Sequence, residues 1–558
     1  MKRMLTLGLT AVLAVALTSC AGIPTSGPVK PGSALVATDT SSIEFFPAGP
    51  IADATQEQIL RGFLEAASGP QNDYAVAKQF LTPELQTKWD PNASVSVDST
   101  ERTITMASNN SATLRSSVSA TIDSTGQYTE FATPTERTAN YSFALVNGQW
   151  RLSSAPQGII LERSIVDLIY RTYPIYFFAP NFQVLVPDVR WFAKASSTTT
   201  RITKALLAGP APWLGSGSAV VTAFPVNTGL VANSVPVIKD VATVDLTSVV
   251  TSADPLATSR MKQQLAASLL GVNSVASVDV YVEGVPLGQG AQASVDSVMP
   301  VPVDNRAFVI SERGVGYLDG DFVSAAPGYS NSISGNALAL TLGTANRYAA
   351  TLSAEGVSLA GPGAATTVID ARPGLIAPSI DLLNFVWSVP RATPGELLAI
   401  TPDGASTKIA VPFAATQVTA LEVSHDGTRV AVLFTDSSGI RLIVASVIRG
   451  ENGVPVRLGG SLSLPVPPGV PVDVAWIDST SVAVLSTSAG SSILYGNVIG
   501  GRSQSLPSFV SGTATSIAGG NNINQLRLLS SDGRLFSLRS LTSWSVASSG
   551  IKVLGVQQ

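Results

Sequence analysis

Hydrophobic positions along this chain change rhythm, from helical spacing near the start to strand-like alternation over the last half. Residues 55–68 place Ile59, Phe63 and Ala66/Ala67 on one face, which predicts a helix that Thr55 caps and Gly69-Pro70 ends. Residues 74–80 predict a second helix, and Thr82-Pro83-Glu84 opens a short third one through Leu85 and Trp89. Strand patterns follow at 103–106, 114–122, 128–131 and 141–146. Asn147-Gly148 then signals a hairpin turn into Gln149-Trp150-Arg151-Leu152. Helices first and a curved antiparallel sheet after them predict an α+β cone of the NTF2-like or cystatin-like kind, with Trp89 and Trp150 in its core.

The pattern turns helical again over 157–170 and then gives a buried strand at 173–178. Residues 183–192 read as a hairpin pair, 201–208 as a helix ending at Gly209-Pro210, 241–246 as a strand, 261–270 as a helix and 278–283 as a strand. This is a second α+β unit. From about residue 300 the chain reads as all-β. Four Asp-Gly pairs, at 319, 403, 426 and 532, mark tight turns in which Gly supplies the positive φ. Spacing of about 40–45 residues fits propeller blades, and the remaining length holds about six. The expected division is therefore a signal peptide at 1–19, a tether at 20–45, an NTF2-like domain at 46–160, a GerMN-like domain at 161–290 and a β-propeller-like domain at 291–558.

The first twenty residues change the picture most. A basic Met1-Lys2-Arg3-Met4, an apolar run from Leu5 to Leu17 and Leu17-Thr18-Ser19-Cys20 form a lipoprotein signal peptide with a lipobox. The run is shorter than the roughly 20 apolar residues a membrane span needs. An ordinary secretory cleavage after Thr18-Ser19 would leave the position of the chain's single cysteine a coincidence. Cleavage before Cys20 and a diacylglycerol on its thiol place the mature chain on the outer face of the cell membrane. The stretch from Ala21 to Val29, rich in Pro and Gly, suits an extended tether.

Composition narrows the chemistry. Hydrophobic residues make up 45% and charged residues 13%, with a net charge of −4 and no basic run, which argues against nucleic acid as a ligand. One cysteine leaves no disulfide, and one histidine, His425, leaves no His/Cys metal cluster. No P-loop, Rossmann fingerprint, G-x-S-x-G or H-E-x-x-H occurs. A Ser-His-Asp site would have to use His425, which reads instead as a turn position before Asp426-Gly427. Asp245, Asp279 and Glu283 suggest a carboxylate pair for glycan hydrolysis, but alternation puts Asp279, Tyr281 and Glu283 on the solvated face of a half-buried sheet. Arg190-Trp191-Phe192 and Pro212-Trp213-Leu214 are interface candidates, with core packing the competing role for the first. No catalytic, cofactor or metal residue is expected.

These residues resemble the LpqB family of actinobacterial lipoproteins. The resemblance rests on Cys20-Ala21-Gly22-Ile23-Pro24-Thr25-Ser26-Gly27-Pro28-Val29 and on the helix Gln58-Ile59-Leu60-Arg61-Gly62-Phe63-Leu64-Glu65-Ala66. Residues 173–287 are similar to a GerMN domain through Leu206-Leu207-Ala208-Gly209-Pro210, Val244-Asp245-Leu246 and Gln263-Gln264-Leu265-Ala266-Ala267-Ser268-Leu269. Ala377-Pro378-Ser379-Ile380-Asp381, with Val386-Trp387-Ser388, resembles the family's propeller start, although Ile380 stands where an aromatic is expected. The resemblance implies a non-enzymatic lipoprotein that binds the extracytoplasmic domain of an Mtr-type sensor histidine kinase in cell-envelope homeostasis and division. A cell-wall glycan or lipid binding module is the alternative.

Overall fold

Thr55 caps the first helix as its position predicts. Its hydroxyl accepts from the Gln58 amide at 3.3 Å while the Gln58 side chain accepts from the Thr55 amide at 2.8 Å. Two otherwise orphaned donors are thus satisfied reciprocally. The chain is described by a computed structural model that covers residues 47–558 except 100–101, 108–109, 289–301, 321, 330–331, 510 and 540–541. The expected signal peptide, the tether and Cys20 lie outside the described residues.

Helix α1 (Gln56–Ala66) buries Ile59, Leu60, Phe63, Leu64 and Ala66. After α2 (Ala75–Lys78) and the Thr82-capped α3 (Pro83–Lys88) come β1 (Ser94–Asp98), β2 (Thr103–Ala107), β3 (Ser111–Asp123), β4 (Tyr128–Val146), β5 (Gln149–Ser154) and β6 (Ile159–Glu162). The sheet runs β5-β4-β3-β1-β6, with β2 also on β3. Phe63 packs on Trp89 and Tyr141, with ring centroids 5.1 and 6.3 Å away. Trp89 is buried, whereas Trp150 is half-buried. Two expected strands, 128–131 and 141–146, are one long β4. Its register slips between Val118↔Thr135 and Ala120↔Glu130, a bulge that accommodates Pro134, which has no N–H to donate.

The helix expected over 157–170 is a correction. Ile159 and Leu161 alternate buried with less buried neighbours, a period of two, and β6 pairs parallel with β1 before α4 (Arg163–Ile169) begins. The strand spans the expected division at 160/161. A second correction concerns 183–192, which is a single strand. β7 (Tyr170–Phe178) and β8 (Leu185–Ala193) form an antiparallel ribbon with Tyr176 opposite Pro187. Among the described residues β8 pairs with β7 alone, so Pro187 breaks no ladder on its far side.

The second α+β unit continues with α5 (Thr198–Ala208), α6 (Pro212–Gly215), β9 (Val237–Ile238), β10 (Val241–Leu246), α7 (Pro255–Leu269), β11 (Ser277–Val282) and β12 (Val285–Pro286). Its sheet order is β12-β11-β10-β9. β10 and β11 run parallel, Thr243 opposite Asp279, joined by α7 as the crossover. Ile202, Leu206, Val244, Leu246 and Leu265 share one core.

The remainder is a six-bladed propeller. Five blades take four consecutive strands each, with innermost strands Ala339–Leu342, Ser379–Ile380, Gln417–Val423, Val470–Asp478 and Ala514–Ala518. The first blade is composite. Its outer strands are Phe308–Ser311, Gly314–Asp319 and Phe322–Ala325, and the C-terminal strand Ile551–Gln557 supplies the inner position. That last strand pairs antiparallel with Phe308–Ser311 and parallel with Ala339–Leu342, which closes the ring between first and second blades. All four Asp-Gly turns have Gly at positive φ, from 57° at Gly320 to 89° at Gly404.

Adjacent blades are tied by buried polar staples. Asp381 accepts from the Leu383 and Phe385 amides at 3.0 Å, from Trp387 Nε1 at 3.1 Å and from Arg449 at 2.7 Å. Ile380, where an aromatic was expected, is fully buried with Val357, Val386 and Ile400, so an aliphatic side chain fills that seam. Asp426 pairs with Arg429, whose guanidinium lies 4.9 Å from the Trp476 ring and donates to Ser479 O in the next blade.

Candidate functional site

All nine residues of β8 are buried, a pattern that one packed face cannot produce. One face belongs to the middle unit's core. On the other, Leu185 stays within the middle unit while Trp191 meets both flanking modules. Asp188 and Arg190 form a bidentate pair, Nε–Oδ1 3.0 Å and Nη2–Oδ2 2.7 Å, with Arg190 only 1% exposed. Part of the pair's remaining hydrogen-bonding capacity is used within the middle unit. Asp188 Oδ2 accepts from the Ala211 amide at 2.7 Å, and Arg190 Nη2 donates to Gly209 O at 3.4 Å. The pair therefore fixes the Gly209–Ala211 turn, and with it α6. Arg190 Nη1 also donates to the Thr125 carbonyl and hydroxyl of the first module, both at 3.0 Å.

Trp191 completes the junction. Its amide donates to Gly126 O at 2.7 Å, and its ring stacks on Tyr128 at 5.1 Å and 26°. Its Nε1 donates to Gly500 O of the propeller at 3.1 Å, and the Arg502 guanidinium lies 5.4 Å over its ring. Arg502 also pairs with Asp167, and the Ser503 amide donates to Glu130 at 3.2 Å. One tryptophan thus contacts all three modules. The second aromatic candidate, Trp213, is half-buried against blade core residues, and a Cβ on Gly460 would lie 2.7 Å from its backbone. Both aromatic triplets, candidates for an exposed interface in the sequence, are used inside the chain.

The three middle-domain carboxylates do not form a catalytic pair. Glu283 is past the end of β11, at φ 48°, and accepts from the Ser248 amide at 3.3 Å. Asp245 accepts from the Gly284 amide at 3.1 Å, and Asp279 is exposed on β11. The first two brace turns, which is ordinary work for carboxylates. His425 is a half-buried turn residue beside the Gln557 backbone. Burial pushes its imidazole pKa down, against the opposing pull of Asp426.

The innermost strands of the propeller hold two carboxylates that the sequence did not single out. A cavity of about 310 Å³ opens there, lined by all six innermost strands. Glu422 of the fourth blade and Asp473 of the fifth face it, among the hydroxyls of Thr341, Ser379 and Ser516. Glu422 is 5% exposed, and its Oε1 takes one long bond from the Trp476 amide at 3.3 Å. Asp473 accepts from the Val474 amide at 2.9 Å and the Ile517 amide at 3.0 Å. Burial raises both acids, Glu422 well above the usual carboxylate range and Asp473 to about 7. The only hint in the sequence is an acid within an otherwise apolar strand, at Leu421-Glu422-Val423 and Val472-Asp473-Val474.

Together these features define a class: two α+β modules, the second GerMN-like, docked on a six-bladed propeller. Three family models match in that order. They are the LpqB lipoprotein N-terminal domain over residues 49–167, a sporulation and spore germination family over 174–288, and the LpqB lipoprotein β-propeller domain over 314–553. A lipoprotein LpqB of Cutibacterium acnes is 24% identical over 97% of this chain and 97% of its own length. One from Nocardia farcinica is 31% identical over 38% of this chain and 35% of its own length. The first GerMN domain of the sporulation protein GerM from Bacillus subtilis, a solved structure, is 19% identical with a TM-score of 0.19, over 23% of this chain and 96% of that one. The chain belongs to the LpqB lipoprotein family. No helix among the described residues is long and apolar enough to cross a membrane.

Proposed function

We propose that this chain is a lipoprotein anchored on the outer face of the cell membrane through Cys20. In this reading it works without catalysis, by binding the extracytoplasmic domain of an Mtr-type sensor histidine kinase and tuning signalling in envelope homeostasis and division. Family membership over nearly the full length supports the anchored-lipoprotein part, and the kinase partner is what the family resemblance implies. The observation that carries the mode of action is the junction at Trp191, which sets three modules in one fixed arrangement. A surface built across modules then meets a partner already ordered and loses little conformational freedom on docking.

The test is cross-linking of the full chain in native membranes, followed by identification of the captured proteins. Recovery of a sensor kinase through its extracytoplasmic domain is the expected result. Retention of the purified chain on isolated peptidoglycan, with no kinase recovered, overturns the reading in favour of wall binding. Cys20→Ala is expected to leave the precursor unprocessed or to release the chain from membranes. Normal maturation and membrane fractionation of that variant refute the anchor.

A further inference from the structure

Glu422 is a carboxylate in a place that gives it no counter-charge. It is 95% withdrawn from solvent by its 5% exposure, and among the described residues no cation and no side-chain donor reaches it. Among the described residues its Oε2 accepts no hydrogen bond, and Glu422 lines the cavity between the innermost strands. Asp473 faces the same cavity and is held only by backbone amides. The one basic residue on the lining, Lys552, is exposed and forms no ion pair with either acid. Two neighbouring carboxylates without a paired cation, Glu422 buried and Asp473 half-buried, stay protonated or take a cation from outside.

The cavity's form selects among cations. It is about 310 Å³ and open at the rim, where Leu338 is 69% exposed. That is room for a side-chain-sized group. A hard divalent ion asks for about six to eight oxygens close around it. Here the two acids stand on adjacent blades on one side of the ring, and no group of three His, Cys, Asp or Glu that could hold a metal occurs among the described residues. Hydroxyls and apolar stems cover the rest of the wall, which suits an ammonium or guanidinium head on an alkyl stem.

We propose that this cavity between the innermost propeller strands binds an organic cation, a primary ammonium or guanidinium group, carried by a free amine or by a Lys or Arg side chain of a peptide. The proposal is independent of the kinase reading, since it needs only the cavity and its two acids. Isothermal titration of the detergent-solubilised full chain tests it, with 1,5-diaminopentane, arginine amide, a blocked Gly-Lys-Gly tripeptide and calcium chloride as separate probes. Saturable binding of at least one organic cation is expected, weakened at least about tenfold in Glu422→Gln and in Asp473→Asn. Binding of the amines alone assigns the site to free amines, and binding of the tripeptide alone assigns it to a peptide. Both neutral variants keep side-chain volume and remove an acid that has no paired cation, so each should melt no lower than wild type without probe. A lower melt in either variant, saturation by calcium alone, no saturable binding, or affinities unchanged in both variants overturns the proposal.

Discussion

Trp191→Ala tests whether the modules act as one body. The side chain is 7% exposed and lies between Tyr128, Arg502 and the Gly500 carbonyl. Truncating a buried tryptophan costs about 3–5 kcal/mol, mostly from the cavity left behind. The Tyr128 stack accounts for about 0.5–1.5 kcal/mol of that, the Arg502 contact for about 0.5–1 and the Nε1 bond for about 1, and these overlap because they share one side chain. The loss falls at the seam between modules, so it should uncouple them more than unfold any one. Calorimetry of the wild type should show the first module and propeller melting together. In Trp191→Ala a separate, lower transition should appear, and small-angle scattering should show a larger radius of gyration. Trp191→Phe, which keeps a ring on Tyr128, should retain most of the coupling. A single transition in Trp191→Ala, shifted by less than about 1 kcal/mol and with unchanged scattering, would refute the junction argument.

Gly460→Ala should loosen the middle module from the propeller, because the new Cβ would meet Trp213 backbone atoms at 2.7 Å. The expected cost is about 1–3 kcal/mol, read as faster proteolysis around 209–219, and an unchanged digestion pattern counts against it. Arg429→Met should destabilise the propeller by about 3–5 kcal/mol, since it leaves the buried Asp426 carboxylate without its cation. Chemical denaturation checks this, and a cost under about 1 kcal/mol would mean that the pair behaves like a surface one. Asp473 carries a pH signature, with its folded pKa raised to about 7 from an unfolded value near 4. The folded chain then holds more protons than the unfolded one in that window, so this group makes stability fall as pH rises from about 4 to about 7. The Tm advantage of Asp473→Asn over wild type should widen across that window, and a constant difference from about pH 4 to about pH 8 would rule it out.

Features set by a few neighbouring residues were legible in the sequence. Thr55 and its capping box, the Asn147-Gly148 turn and the four Asp-Gly turns each follow from local backbone chemistry, and each is where the pattern put it. The misreadings came where pairing partners decide. Residues 159–162 look helical beside α4, yet β1 offers them a parallel edge. Residues 183–192 read as a hairpin pair, yet they form one strand of an edge ribbon that tolerates Pro187. Long β4 reads as two strands in the sequence because the bulge opposite Ser119 depends on β3. The site features were least legible. Arg190 and Trp191 find partners 65 and 309 residues away, so the sequence shows a sticky aromatic triplet but not what it holds. Glu422 and Asp473 lie on different blades, and only ring closure brings them to one cavity.

That contrast bears on how a chain with so little reactive chemistry does its work. A propeller alone presents a rigid disc, and an α+β module alone presents a small one. Joined through loosely coupled linkers, each would bind with its own modest area, and the ordering cost would recur at every contact. The Asp188–Arg190 pair removes that freedom in two steps. It fixes the Gly209–Ala211 turn, which sets Trp213 on the propeller, and it binds Thr125, which sets the first module beside Trp191. Breaking the pair should therefore impair partner capture more than it impairs any single module. Arg190→Met leaves Asp188 buried and uncompensated, so Asp188→Asn paired with Arg190→Gln is the better test, keeping hydrogen bonds without charge. If that double variant folds like wild type yet captures its partner less well in native membranes, the fixed arrangement is what the partner reads. Equal capture with measurably loosened modules would place recognition on one module alone.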